Sequence, residues 1–417
     1  MRRLLVHRPH APAPLLSLVI LVLSVGLAAA GPAQAAKRHA PRATRHVHRA
    51  KRHVPRGFFG TVLDPMMTNP AYVSDRALDA QTALMARSGV ESLRVTFDWG
   101  AIEPAPGKFD FLATDRIVLD AARHGLHLLA NLIYTPAWAS THPSGSYPFR
   151  YAPRSPQYFA TFASALVHRY GPRGSFWKLH PGLRSGAVRE WQIWNEQGFD
   201  VFWDSLPWPP RYTRLLRAGY LAIHHVDRGA QVVAGSLVAT GNYTQWAQMS
   251  ALYRAGAKRY FDVVSVHPFT DGSIPVSQSV DRAITIVRYV RNVMRRHGDG
   301  RKPIILTELT WPGAVGFVKP SRLLGLETTP RGEMLRLTAA YNYLATHIRQ
   351  TGVTQAYWFD WASTFDRNDP QSDVGYRFAG LTRFDNGAFF PQPVLRTYAR
   401  VATHYEGCAK LGNGRCR

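Results

Sequence analysis

At 417 residues, with 46% hydrophobic and 12% aromatic content, the chain can bury one large core or two or three ordinary ones. Its net charge is +24, and residues 1–56 hold 11 Lys and Arg with no acid, leaving 40 basic against 27 acidic residues for the remainder. No stretch beyond the first 35 residues is long and apolar enough to cross a bilayer, which excludes a bundle of membrane helices.

Residues 1–35 read as an export signal. Arg2 and Arg3 supply a positive start, Leu15 to Ala30 is apolar, and Ala33-Gln34-Ala35 is a small-residue cleavage site. A retained anchor is the alternative, but the apolar run falls short of the roughly 20 residues that span a bilayer. The expected destination is therefore secreted or cell-surface. Residues 36–56 carry eight Lys and Arg and four His, with almost nothing to bury, and read as a disordered basic linker. The alternative is an arm that binds an anionic cell-wall polymer or nucleic acid by neutralising phosphates. No stacking aromatics interleave there, so a solvated linker is favoured and no nucleic-acid partner is expected.

From Gly57 onward strand-like and helix-like segments alternate. Strands are expected at 58–63, 92–97, 126–133, 188–195, 232–237, 261–266, 303–307 and 354–359. Helices are expected at 75–87, 112–124, 157–170, 212–226, 243–255, 279–296, 332–349 and 394–404. Several helices have start signals, namely Asp75, Ser155-Pro156 and Pro209-Pro210. Eight strands each followed by a helix, over residues 57–405, match a (β/α)8 TIM barrel with enlarged strand-to-helix loops. A doubly wound sheet with a second domain is the competing architecture. It would call for a Gly-rich loop after the first strand or a composition break, and neither is present. In the tail, 406–417, Cys408 and Cys416 are the only cysteines. In an exported protein they would pair around Gly412-Asn413-Gly414, gaining roughly 2–3 kcal/mol. A redox or metal pair there has no supporting ligands nearby.

Two segments end on a glutamate: Trp191-Gln-Ile-Trp-Asn-Glu196 and Ile304-Ile-Leu-Thr-Glu308. On the barrel map they close strands 4 and 7, on the same C-terminal face, where two carboxyls would converge. Paired carboxyls about 5–5.5 Å apart are what a retaining glycosidase needs: one protonates the departing oxygen and the other attacks the anomeric carbon. Trp191, Trp194 and Phe199 would desolvate Glu196, and Arg94 would keep Glu308 charged. Alone, Glu308 is equally a capping or salt-bridging surface residue; the joint placement is what points to chemistry. Tyr134, Trp138, Trp203, Trp208, Trp311 and Trp361 fall in or near the loops of that face and would stack on sugar rings, or else simply pack the loops. Three or more in one groove would favour endo action on a polysaccharide.

These residues also carry a resemblance. The segments are Leu93-Arg94-Val95, Trp99, Ile102-Glu103-Pro104, Pro106-Gly107, Phe109-Asp110, Thr135-Pro136-Ala137-Trp138 and Arg169-Tyr170-Gly171. They continue with Ile193-Trp194-Asn195-Glu196, Val264-Ser265-Val266-His267-Pro268, Ile305-Leu306-Thr307-Glu308 and Gly380-Leu381, Asp385, Pro393. Over residues 57–405 the chain resembles the retaining (β/α)8 glycoside hydrolases of clan A, most nearly the family 39-like bacterial glycosidases. The resemblance implies Glu196 as acid/base, Glu308 as nucleophile and Asn195 on the sugar 2-hydroxyl. It further implies Arg94 holding Glu308, His267 within reach of the pair and Trp358 as the floor under the ring; Trp138 and Trp311 are expected substrate contacts from their loop positions. The bland alternative for His267 is a satisfied core histidine. The implied substrate is a polysaccharide or oligosaccharide, and no metal or nucleotide motif calls for a cofactor.

The chain departs from the clan in two places. Clan members often carry His-x-Tyr after strand 6, whereas this chain has His267-Pro268-Phe269. Either another hydroxyl, from Thr270 or Tyr357, replaces the tyrosine or Arg94 alone tunes the nucleophile. Gln197 stands where proline commonly follows the glutamate. Two further functions remain open: an inactive glycan-binding barrel, against which the two glutamates, Asn195 and Arg94 argue, and a wall protein defined by its basic arm.

Overall fold

Eight short runs rich in Val, Ile, Leu and aromatic residues pair as parallel strands in the computed structural model, which describes residues 53–183, 186–364 and 375–406. The strands are β1 (Phe59–Leu63), β2 (Ser92–Asp98), β3 (His127–Ile133), β4 (Glu190–Ile193), β5 (Gln231–Ala234), β6 (Val264–Ser265), β7 (Ile304–Leu309) and β8 (Val353–Trp358). Their order in the sheet is β5-β4-β3-β2-β1-β8-β7-β6. Parallel bridges Val233 to Val263 and Leu237 to Val266 join its two outer strands and close the ring. This is the (β/α)8 barrel expected from the alternation. The expected export signal, most of the basic linker and the Cys408–Cys416 pair lie outside the described residues. No described helix is long and apolar enough to cross a membrane.

The eight principal helices are α1 (Asp75–Arg87), α2 (Leu112–His124), α3 (Pro156–Tyr170), α4 (Trp208–Val226), α5 (Gln245–Arg254), α6 (Val276–Arg296), α7 (Pro330–Thr346) and α8 (Pro393–Tyr405). Their starts follow from local chemistry. Ser74, Ser155, Thr244 and Thr329 accept hydrogen bonds from exposed N–H groups of the first turns, and Pro156 and Pro330 occupy positions where no N–H is missed. Ser74, rather than Asp75, is thus the cap of α1. Gly125 ends α2 in the left-handed conformation (φ 67°). Helix α6 buries Val280, Ala283, Ile284, Val287, Val290 and Met294, one stripe at helical spacing. Each large side chain in such a stripe stabilises the fold by about 1.5–3 kcal/mol.

Val62, Leu129, Val233, Val263, Ile305 and Tyr357 form a separate small cluster, the packed interior of the barrel. At the seam between chain ends, Tyr398 of α8 donates to the Gly60 carbonyl of β1 (3.1 Å), and Tyr341 of α7 stacks on Phe59 (5.2 Å). Gly60 is held to zero side chain, since a Cβ there would lie 2.5 Å from the Tyr357 ring and 2.7 Å from Ser92 Oγ. Gly60→Ala is expected to cost about 1–3 kcal/mol by overpacking. A urea melt should show a lowered midpoint, and an unchanged midpoint would mean that Tyr357 repacks freely.

Three departures from the expected elements bear on function. β4 ends at Ile193, not 195, because Trp194 takes a left-handed backbone (φ 72°) and turns the chain out of the ladder. Glu196 therefore stands three residues beyond the strand. β6 is only two residues long. Past β8 an unexpected three-stranded sheet forms from β9 (Ala362–Thr364), β10 (Thr382–Asp385) and β11 (Ala388–Pro391). Its hairpin turns on Asn386 (φ 48°) and Gly387 (φ 80°), the pair that a tight two-residue turn favours.

Candidate active site

The centre of the site is one guanidinium. Arg94 projects from β2 and donates to three partners: Nη1 to Glu308 Oε1 (2.7 Å), Nη2 to Asn195 Oδ1 (2.6 Å) and Nε to Gln192 Oε1 (2.9 Å). Arg94 is buried, so its charge would be expensive without such partners. Glu308 sits in β7, one residue before the strand ends, and keeps partial exposure. Asn195 and Glu196 reach the same place from beyond β4. They are carried there by backbone turned to positive φ at Trp194 (72°) and Glu196 (45°), a conformation that costs non-glycine residues of order 1–3 kcal/mol each. The turn is held by Trp194, whose indole donates to the Phe202 carbonyl (3.0 Å) and packs edge-on to Trp203 (4.9 Å).

Glu196 is 7% exposed, and burial pushes its carboxyl up to about 7, with the Arg94 charge opposing the shift. His267, beyond β6, is wholly buried. Desolvation lowers its imidazole to about 3; Glu308 opposes that shift and Arg94 adds to it, so the ring is neutral at ordinary pH. His267 Nδ1 lies 2.6 Å from Glu196 Oε1, its Nε2 lies 2.9 Å from Thr307 Oγ1, and the same Nε2 is 3.7 Å from Glu308 Oε1. With a neutral ring these contacts are hydrogen bonding and packing rather than ion pairs. His267 is thus more than a core filler, since it touches the Glu196 carboxyl directly. One donor atom each from Glu196, His267 and Glu308 lies within 4.8 Å of the others. Three such donors resemble a cation site, but Arg94 already sets a positive charge on Glu308, and a second cation there would be repelled.

The aromatic residues are distributed differently from expectation. Trp358 is fully buried, and its indole donates to the Ala379 carbonyl (3.0 Å), so it offers no open floor to a ring. Trp311 is likewise buried and donates to Thr270 Oγ1 (3.0 Å). Trp203, Trp208 and Trp361 are also buried. Only Tyr134 and Trp138 among the six loop aromatics keep partial exposure, and Trp138 is tied to the Glu103 carbonyl (2.9 Å). The criterion of three groove-lining rings for endo action is not met by these six. Phe199 is 36% exposed and gives little desolvation; Trp191 and Trp194 are wholly buried.

Neither candidate hydroxyl for the position left open by Phe269 faces the pair. Thr270 Oγ1 donates to the Ser279 carbonyl (3.0 Å), and Tyr357 donates to Gln355 (2.9 Å), which in turn binds Glu190 at the start of β4. Sequence reasoning missed Tyr376. Its ring packs edge-on against Phe269 (6.1 Å) and Phe359 (5.8 Å), and burial together with the charges of Glu308 and Glu196 raises its hydroxyl pKa. It reaches the site from beyond β8, and no local pattern announces it. Also missed were Asp64, Asp98 and Asp360, at or just beyond the ends of β1, β2 and β8. Burial raises all three carboxyls, and Asp360 is raised further by Asp64 and Glu308. Their common signal was position: each is an acid at a strand's C-terminal end.

A family model described as beta-galactosidase (glycoside hydrolase family 42) matches residues 68–192, under a third of the chain, and stops just before Asn195 and Glu196. No curated protein matches significantly. Among solved structures, a family 39 glycoside hydrolase from Bacteroides cellulosilyticus WH2 superimposes with a TM-score of 0.59 at 18% identity, covering 84% of this chain and 64% of that one. A glucosidase from Croceicoccus marinus gives 0.59 at 16%, covering 86% and 69%. An exo-beta-1,4-mannosidase from Opitutaceae bacterium strain TAV5 gives 0.56 at 17%, covering 84% and 60%. The chain thus spans under two thirds of the first and third of these. The shared fold is the (β/α)8 barrel, and the resemblance to the clan A glycosidases holds.

Proposed function

We propose that the chain is a retaining glycoside hydrolase acting on an oligosaccharide or polysaccharide, with Glu308 as nucleophile and Glu196 as acid/base. The observation that carries this is the pairing of two unlike carboxyls whose oxygens approach within 4.8 Å. Glu308 is ion-paired with Arg94, and Glu196 is pushed by burial up to about 7. Retention needs carboxyls about 5–5.5 Å apart, whereas inversion needs about 6.5–9.5 Å to admit a water between the acid and base. Oxygens this close support retention over inversion.

Glu308 attacks the anomeric carbon while Glu196 gives its proton to the departing oxygen; Glu196 then draws a proton from the water that releases the sugar. Because the Asn195 carbonyl oxygen is taken by Arg94, its NH2 group is left to donate to the sugar 2-hydroxyl. The direction of the pH dependence follows: the first step needs protonated Glu196 and weakens as pH rises through about 7. Following the first-formed product of an aryl glycoside by proton NMR tests the proposal. The anomeric configuration of the substrate should be kept in the initial sugar, and an inverted initial product would overturn the nucleophile assignment.

A further inference from the structure

Behind the two glutamates lies a polar cluster in strands that should otherwise be apolar. Gln192, Ser236, Ser265 and Thr307 come from β4, the chain after β5, β6 and β7, and all four are wholly buried. Parallel strands covered on both faces normally carry near-continuous apolar residues, so four polar ones meeting at one point need an account.

The hydrogen atoms of this cluster can be counted. Arg94 Nε can only donate, so the Gln192 oxygen accepts and its NH2 group must donate; it does so to the Trp194 carbonyl (2.8 Å) and to Ser236 Oγ (3.0 Å). The three hydroxyls form a closed triangle: Ser265 donates to Ser236 (2.9 Å), Ser236 lies 3.0 Å from Thr307, and Thr307 is in close contact with Ser265. Each hydroxyl has one proton. Ser265 spends its proton on Ser236, so Thr307 must supply the bond to Ser265, and Ser236 the bond to Thr307. Thr307 then has no proton left for His267 Nε2, 2.9 Å away, so Nε2 carries the hydrogen and donates. In a neutral imidazole the other nitrogen is bare, and the 2.6 Å contact of Nδ1 with Glu196 Oε1 requires the proton to come from the carboxyl.

We propose that the Ser236–Ser265–Thr307 hydroxyl ring is a positioning device that fixes His267 as its Nε2–H tautomer, so that Nδ1 only accepts and Glu196 stands protonated in the resting enzyme. This rests on the assignment of Glu196 as acid/base. The low imidazole pKa and the raised carboxyl agree with a neutral pair, in which neither group bears a buried charge. The other groups that bear on Glu196 are Arg94 from β2, Tyr134 beyond β3, Glu308 of β7 and Tyr376 beyond β8, but among the described residues only His267 hydrogen-bonds its Oε1. The held proton is the one given to the departing oxygen as the C–O bond breaks. Once it has gone, the bare Nδ1 faces a bare carboxylate oxygen, which makes Glu196 readier to take a proton back from water. Flipping the tautomer would reverse this: an Nδ1–H would stabilise the carboxylate and lower its pKa.

The test is the pH profile of kcat/KM on a glycoside with a poor leaving group, using the full chain. Thr307→Val removes the acceptor for Nε2, and Ser265→Ala frees the Thr307 proton for Nε2. Both should move the basic limb to lower pH by about one unit, while Thr307→Ser keeps the wild-type profile. Independently, 15N-histidine NMR of the wild-type protein, with His267→Gln for assignment, should show an unprotonated Nδ1 at neutral pH. Unshifted limbs in both variants, or a protonated Nδ1 in the wild type, overturn the proposal. If those profiles stay fixed while Glu196→Ala still abolishes the basic limb, the ring has no such role and the glycosidase assignment stands. If Glu196→Ala leaves the limb in place, the acid/base assignment itself falls.

Discussion

Replacing Glu308 by glycine is expected to lower kcat on an activated aryl glycoside by about 10⁴-fold or more, because no other described carboxylate is held against Arg94 to attack the anomeric carbon. The substitution opens space in β7 where the carboxyl stood while Asn195 and Gln192 keep their bonds to Arg94. Azide should enter that space and restore turnover. It would attack from the nucleophile's side with no second displacement, so the glycosyl azide formed should have the anomeric configuration opposite to the substrate. Losing one partner of a buried ion pair also costs stability, about 3–5 kcal/mol for a fully buried one. Folding of the variant should therefore be confirmed by circular dichroism before activity is read. A variant that folds and keeps a tenth of wild-type activity would remove Glu308 from the mechanism.

Glu196→Ala should show a different pattern. General acid/base assistance contributes about 10²–10⁴-fold, and poor leaving groups should lose all of it. Activated aryl glycosides need little protonation, so their first step should persist and the second should become limiting, seen as a burst of phenol followed by a slow phase. Azide should then relieve the slow step and give the azide of retained configuration. The basic limb that follows the Glu196 carboxyl through about pH 7 should vanish with the residue. A variant that still falls off through the same pH range would mean that another group supplies the proton. Opposite azide configurations from the two variants would separate nucleophile from acid/base.

Much of the frame could be read from residue order, because local chemistry decides it. Helices α1 and α2 begin and end where read, at Asp75–Arg87 and Leu112–His124, since the Ser74 cap and the Gly125 stop act within one turn. The two glutamates, Arg94, Asn195 and His267 were legible from strand counting and from resemblance, and the structure brings all five together. What escaped reading depends on the third dimension. Composition cannot say which side of a loop an indole faces, and Trp311 and Trp358, expected as sugar contacts, both turn inward to find acceptors. Tyr376 joins the site from 68 residues beyond Glu308, with no periodicity to announce it. Gln192, Ser236, Ser265 and Thr307 did leave a trace, as polar residues interrupting strands expected to be apolar, but that trace becomes chemistry only when the four strands close. Asn386-Gly387, by contrast, is a hairpin signal that residue order alone carries.

Arg94 has a consequence beyond the charge it supplies. One rigid fork holds the Glu308 carboxylate, the Asn195 amide and Gln192, whose own amide donates into the ring of buried hydroxyls. Free energies assigned to those parts are therefore not separate quantities. Any cycle of paired substitutions that includes Arg94 will carry a coupling energy comparable to the single effects themselves. The site is better described as one cooperative unit with a single hub than as a set of residues whose contributions can be summed. Substitutions are then tolerated at its rim, where side chains act singly, and hardly at all around that guanidinium.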